Sequence, residues 1–199
     1  AIQAETGGTF LYVTHDQVEA MTMSDRVALL QTGHLLQVGV PNTLSADPAN
    51  LDVARFIGSP EINIAAGERV PGGVRLGEVK LPVVLDGQGP VHVGIRPEAI
   101  SVPGAAGLAA SGQRVGLTLT LTKRMIEDLG PEILIHGHFT HAPDALIRIR
   151  AQKSDSYGSG DTLARASILT VMLNPQQLLF FDAEGQRLTG HLHDVVETA

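Results

Sequence analysis

The spacing of hydrophobic and polar positions changes character near residue 60. Before that point the punctuation is helical, with one buried strand. Ala1 to Glu5 reads as a helix end closed by Gly7 and Gly8 as left-handed caps. Thr9 to Val13 is a short continuous apolar run, the pattern of a strand buried on both faces. Thr14-His15-Asp16-Gln17 has capping-box spacing, with Thr14 facing Gln17, and predicts a helix running to about Met23. Arg26 to Gln31 and His34 to Val38 read as two strands joined around Thr32-Gly33. Pro41 suits the first turn of a short helix that stops before Pro48. Asn50 to Ile57 reads as a last helix with Val53, Phe56 and Ile57 on one face, ended by Gly58-Ser59-Pro60.

From Glu61 onward the pattern is short β runs separated by Gly and Pro. The predicted strands are Val74 to Leu76, Val79 to Val84, Val91 to Arg96, Arg114 to Ile126, Glu132 to His138, Ala145 to Arg150, Ala164 to Met172 and Gln177 to Phe181. Alternation of apolar and polar residues is clear over Leu117 to Leu121 and Leu146 to Arg150. Many short strands at this spacing predict a small closed or partly open barrel. The expected organisation is therefore an α/β fragment over residues 1–60 followed by an all-β barrel over 61–199.

Charge and composition narrow the functions available. A net charge of -7 argues against a nucleic-acid binder, which needs clustered Lys and Arg to meet phosphates. Stacking aromatics are also scarce, with five Phe, two Tyr and no Trp. The absence of Cys rules out disulfides and thiolate metal sites within these residues. No apolar stretch is long enough for a membrane-spanning helix. The chain has no initiator Met and opens on what reads as a helix tail, so it is expected to continue upstream.

The residue with the clearest chemical opportunity is His15. It stands on a turn between a predicted buried strand and a predicted helix, and phosphate ligands bind at such carboxyl edges of parallel sheets. An imidazole there can donate from one nitrogen to a phosphate oxygen while the other is fixed by the backbone. Taken bare, the same position suits a surface or capping histidine.

The segment Val13-Thr14-His15-Asp16-Gln17-Val18-Glu19-Ala20-Met21 resembles the switch-histidine segment of ABC transporter ATPases. Ser24 to Leu30 and Gly33 to Gly39 resemble the strands that close that ATPase domain. Val53 to Asn63 is similar to the linker into the regulatory domain of the maltose and glycerol-3-phosphate type of importer ATPase. Val93-Gly94-Ile95-Arg96-Pro97-Glu98 and Glu127-Asp128-Leu129-Gly130 resemble that family's OB-like (TOBE) regulatory barrel. The resemblance covers nearly the whole chain and is more specific before residue 100 than after it.

This resemblance implies that His15 is both the catalytic switch histidine and the contact to the ATP γ-phosphate across a dimer interface. It implies ATP and Mg in the complete subunit, a second copy of the chain as partner, and transmembrane permease subunits. An extracellular solute-binding protein would be an indirect partner, and a regulatory protein could dock at the barrel. The expected location is peripheral, on the cytoplasmic face of the inner membrane. No G-x-x-x-x-G-K-[ST] loop occurs in the sequence, so the chain alone is expected to bind and hydrolyse ATP negligibly and to hold no cofactor.

Other groupings carry less. His136-Gly137-His138 and His191-Leu192-His193-Asp194 resemble pieces of metal sites, but no third ligand is evident and they read as solvated histidines, so no metal is expected. Arg148 and Arg150 share a strand face and read as barrel surface. Pro97 restricts Arg96 to extended geometry, which gives Arg96-Pro97-Glu98 a structural role at a strand exit. Lys123-Arg124 beside Glu127-Asp128 reads as a mixed-charge turn. An alternative function is an oxyanion-binding barrel of the molybdate type, with Tyr157 to Gly160 as a source of donors. It leaves His15 and the strands after it unexplained.

Overall fold

Two large antiparallel sheets hold most of the chain, and the alternation of apolar residues explains how they meet. The computed structural model describes residues 6–102, 116–152 and 162–192. A six-stranded sheet contains β3 (Asn63–Val70), β4 (Gly73–Leu76), β5 (Val79–Leu81), β7 (Gly89–Ile95), β13 (Leu178–Phe181) and β14 (Arg187–Leu188), in the order β14-β13-β7-β3-β4-β5. A five-stranded sheet contains β8 (Ile100–Ser101), β9 (Leu117–Asp128), β10 (Glu132–Phe139), β11 (Ala142–Gln152) and β12 (Ile168–Leu173), in the order β11-β10-β9-β12-β8. Val93 and Ile95 from the first sheet pack with Leu121, Ile135 and Ile147 from the second, and all five are fully buried. Burial of this apolar area is the main force closing the two layers.

Strand β13, Leu-Leu-Phe-Phe, is buried at every position. Leu178 and Phe180 belong to the core between the sheets, whereas Leu179 and Phe181 pack with Ala54 and Ile62 on the other side. A strand covered on both faces has no reason to alternate.

Among the described residues before 60, the chain forms the short helices α1 (Gln17–Met23), α2 (Pro41–Ala46) and α3 (Leu51–Phe56) and a hairpin of β1 (Val27–Gln31) and β2 (His34–Gly39). The hairpin turns at Thr32 and Gly33, where φ is 47° and 82°; two positive values make the type I′ geometry that suits antiparallel strands. Pro41 opens α2, and Asn50 caps α3 by accepting from the Val53 amide at 3.0 Å. Leu29, Leu44, Val53 and Ile57 form a small core of their own. Phe56, expected on the buried face, is 45% exposed, and Ala54 takes its place against the larger sheet.

Thr9–Val13 departs from the expected buried strand. Among the described residues no strand pairs with it, and Leu11 and Val13 are 94% and 86% exposed. A two-face-buried strand needs hydrogen-bonded neighbours and a covering layer on each side, and here it has neither. Val79 to Val84 is two strands, because Pro82 lacks the N–H to continue the ladder; β5 pairs with β4 and β6 (Val83–Val84) pairs with β15 (His191–Leu192). Ala164 to Met172 divides into α4 (Thr162–Arg165) and β12. Lys123 and Arg124 lie inside β9 at a bulge, not on a turn, and the Lys123 ammonium donates to the Leu163 carbonyl at 2.6 Å. Ala1 to Glu5, Arg114, Tyr157 to Gly160, His193 and Asp194 lie outside the described residues.

Candidate functional site

The turn that carries His15 is built by its neighbours. The cap of α1 is Asp16, not Thr14: its carboxylate accepts from the Val18 and Glu19 amides at 2.7 and 3.1 Å. Asp outranks Thr as a helix cap, and Glu19 stands three residues on. Thr14 turns the other way. Its hydroxyl accepts from the Asp16 amide at 3.0 Å and donates to Glu19 Oε2 at 2.8 Å. The Tyr12 hydroxyl donates to the same carboxylate oxygen at 3.1 Å. Hydrogen bonding to Glu19, followed by its charge, raises the Tyr12 phenol above its ordinary value.

His15 therefore sits between two residues whose side chains are both tied to the first turn of α1, and its own side chain is exposed. Such a frame limits the backbone freedom of the turn while leaving the imidazole open to a ligand. This is the arrangement a positioned hydrogen-bond donor needs.

Gln17, expected to complete a box with Thr14, reaches elsewhere. Its Oε1 accepts from the Gly58 amide at 3.0 Å, across the small helical core. Gly58 has φ of 122°, and an added Cβ would fall 2.8 Å from Arg96 Nη1, so both backbone conformation and crowding demand glycine.

Arg96 is the polar group most deeply engaged between the two parts of the fold. It follows β7 in extended geometry, as Pro97 requires, and is 7% exposed. Its Nη1 donates to the carbonyls of Ala54, at 3.2 Å, and Ile57; its Nη2 donates to Ser45 O at 3.0 Å. These carbonyls end α2 and α3, where a cation also meets the negative ends of the helix dipoles. Burial lowers the guanidinium pKa from its ordinary value, with Glu98 opposing. The sequence placed Arg96 at a strand exit but gave no sign of the helix ends it satisfies, since its acceptors lie 39 to 51 residues away.

A second arginine also joins the helical segment to the six-stranded sheet. Arg187 Nη1 donates to Phe180 O at 3.2 Å, its guanidinium lies 5.8 Å over the Phe181 ring, and its Nε is 3.4 Å from Asp47. The remaining candidates serve the surface. Arg150 forks onto Glu132, with Nε to Oε2 at 2.7 Å. His136 and His138 are half-buried within β10; His136 Nε2 lies 3.1 Å from Glu127 Oε1. Among the described residues, no three His, Asp or Glu side chains are grouped to hold a metal. No helix among them is long and apolar enough to cross a membrane.

No protein-family model matches the chain. Curated relatives do. The chain is 36% identical over 192 residues to the sn-glycerol-3-phosphate import ATP-binding protein UgpC of Jannaschia sp. (strain CCS1), covering 94% of this chain and 49% of that protein. It is 34% identical over 206 residues to the diacetylchitobiose uptake system ATP-binding protein MsiK of Streptomyces coelicolor, covering 95% and 52%. It is 33% identical over 191 residues to the osmoprotective compounds uptake ATP-binding protein GgtA of Synechocystis sp., covering 92% and 49%. The chain thus spans about half the length of the curated relatives it matches. Among solved structures, the cytoplasmic molybdate-binding protein ModG aligns over 59% of this chain and 94% of that one, with a TM-score of 0.38 and 9% identity, too slight a likeness to support an argument about ligand or fold. Relatives at this identity along nearly its whole length are ATP-binding subunits of import systems, and the chain matches their C-terminal part.

Proposed function

We propose that this chain is the C-terminal part of a subunit that couples ATP hydrolysis to import of a carbohydrate-type solute. Residues 1–60 would close the nucleotide-binding domain, an α/β unit, and residues 61–199 would form its OB-like regulatory barrel. The observation that carries this reading is the agreement along 94% of the chain with import ATP-binding proteins, together with an exposed imidazole on a braced turn.

In this reading His15 donates a hydrogen bond to the γ-phosphate of ATP bound to a second copy of the subunit and helps place the attacking water. Phosphoryl transfer depends mostly on positioning and electrostatic stabilisation, so one fixed donor matters. The 199 residues contain no G-x-x-x-x-G-K-[ST] loop, so nothing here is assigned to cradling phosphates or to Mg. The partners are a second copy and transmembrane permease subunits on the cytoplasmic face of the membrane, with the solute-binding protein acting through the permease. Sugar, polyol and glycerophosphodiester solutes all fit this reading.

The test is to purify the complete subunit and follow its association and ATP turnover by gel filtration and phosphate release. The expected result is turnover accompanied by a dimer; a strictly monomeric subunit, with or without ATP, contradicts the reading.

A further inference from the structure

A continuous path of hydrogen bonds joins the His15 turn to the exit of β7. It begins at Gln17, the first residue of α1, whose side chain accepts from the Gly58 amide at 3.0 Å. The preceding carbonyl, Ile57 O, accepts from Arg96, which also holds Ala54 and Ser45. Arg96 directly follows β7, the strand between β13 and β3 in the six-stranded sheet.

At the other end, Thr14 and Asp16 bind His15's turn to Glu19 and the first amides of α1. The His15 turn and the start of α1 therefore move together. Helix α1 has no fully buried residue, and Met21 alone of its described side chains is partly buried against the small apolar core, so apolar packing holds it weakly. A polar tie at its first residue then has a large share in fixing where the turn stands.

We propose that Gln17 is a positioning residue for His15: it sets the turn against the 57–58 corner, and through Arg96 it links the placement of the imidazole to the β-rich part of the chain. This rests on the reading of His15 as a phosphate donor, because positioning matters only if the imidazole meets a ligand.

Gln17→Met keeps the length of the side chain and removes the acceptor, whereas Gln17→Glu keeps an acceptor for the Gly58 amide. Two readouts separate the possibilities. In this chain, amide exchange at Gly58 is expected to quicken about tenfold in Gln17→Met and to stay near the parent rate in Gln17→Glu, as expected when a local tie opens. In the complete subunit, Gln17→Met is expected to lower kcat about tenfold with KM for ATP changed less than about twofold, and Gln17→Glu to restore most of kcat.

Unchanged Gly58 exchange in Gln17→Met overturns the tie. Altered exchange with unchanged kcat, when His15→Ala still abolishes turnover, overturns the positioning role and leaves the reading of His15 intact. If His15→Ala also leaves turnover unchanged, both fail.

Discussion

The side chain of Asn63 and the backbone of Arg148 exchange two hydrogen bonds between the two large sheets: Asn63 Nδ2 donates to Arg148 O at 2.9 Å, and the Arg148 amide donates to Asn63 Oδ1 at 2.7 Å. Asn63 is fully buried at the start of β3, and Arg148 lies on β11, at the edge of the other sheet. The amide imitates a strand partner and satisfies an edge that would otherwise be open. Asn63→Ala removes both bonds and leaves the Arg148 groups unpaired, so a loss of about 2–3 kcal/mol in unfolding free energy is expected. Urea denaturation measures it; an unchanged midpoint means that water replaces the amide at no cost.

Arg96 offers the corresponding prediction for the helical segment. Arg96→Met leaves three carbonyls without their donor, and bonds to charged groups are the stronger kind, so a loss of about 3 kcal/mol is expected. Arg96→Lys keeps the charge but cannot fork between α2 and α3, and should recover less than half. Hydrogen exchange at residues 51–57 should rise in both variants. Protection unchanged there would mean that the apolar contacts of Val53 and Ala54 suffice to seat α3.

The bracing around His15 has a pH signature. Glu19 raises the Tyr12 phenol above its ordinary value, near 10. A raised value in the folded chain means that the stabilising contribution is fully present below the unfolded value and is lost as pH rises through the folded one. The chain has two tyrosines and no tryptophan. With Tyr157→Phe, the phenolate absorbance of Tyr12 should therefore appear above pH 10, and Glu19→Gln should move it back down. An identical titration in both proteins contradicts the Tyr12–Glu19 bond.

Much of this fold was legible in the sequence because local rules agree with the tertiary outcome. The Leu146 to Arg150 alternation does place Ile147 and Ile149 in the core, and Thr32-Gly33 does turn a hairpin. Strand β3 is not predicted by the sequence, because Asn-Ile-Ala-Ala-Gly-Glu-Arg-Val offers neither β-branched enrichment nor clean alternation, yet it pairs on both sides, with β7 and β4. Its existence is decided by those neighbours, a tertiary cause.

The site was legible in part. The role of His15 comes from the resemblance of its segment, whereas the Thr14-to-Gln17 spacing points to a Thr14 cap and gives no sign of the reach of Gln17, because Gly58 lies 41 residues further along the chain. Arg96 gave a backbone signal through Pro97, while its acceptors depend on where α2 and α3 end in space. Thr9–Val13 reads as a buried strand from composition, yet its burial requires neighbours that the described residues do not supply.

The central claim is that the exposed imidazole of His15 acts on a bound triphosphate, and the direct measurement compares nucleotide affinity with turnover in the complete subunit carrying His15→Ala. The account predicts ATP affinity within about threefold of the parent and turnover reduced about a hundredfold or more, the scale of losing one preorganised donor. Turnover within about twofold of the parent, or affinity and turnover falling together, would contradict it.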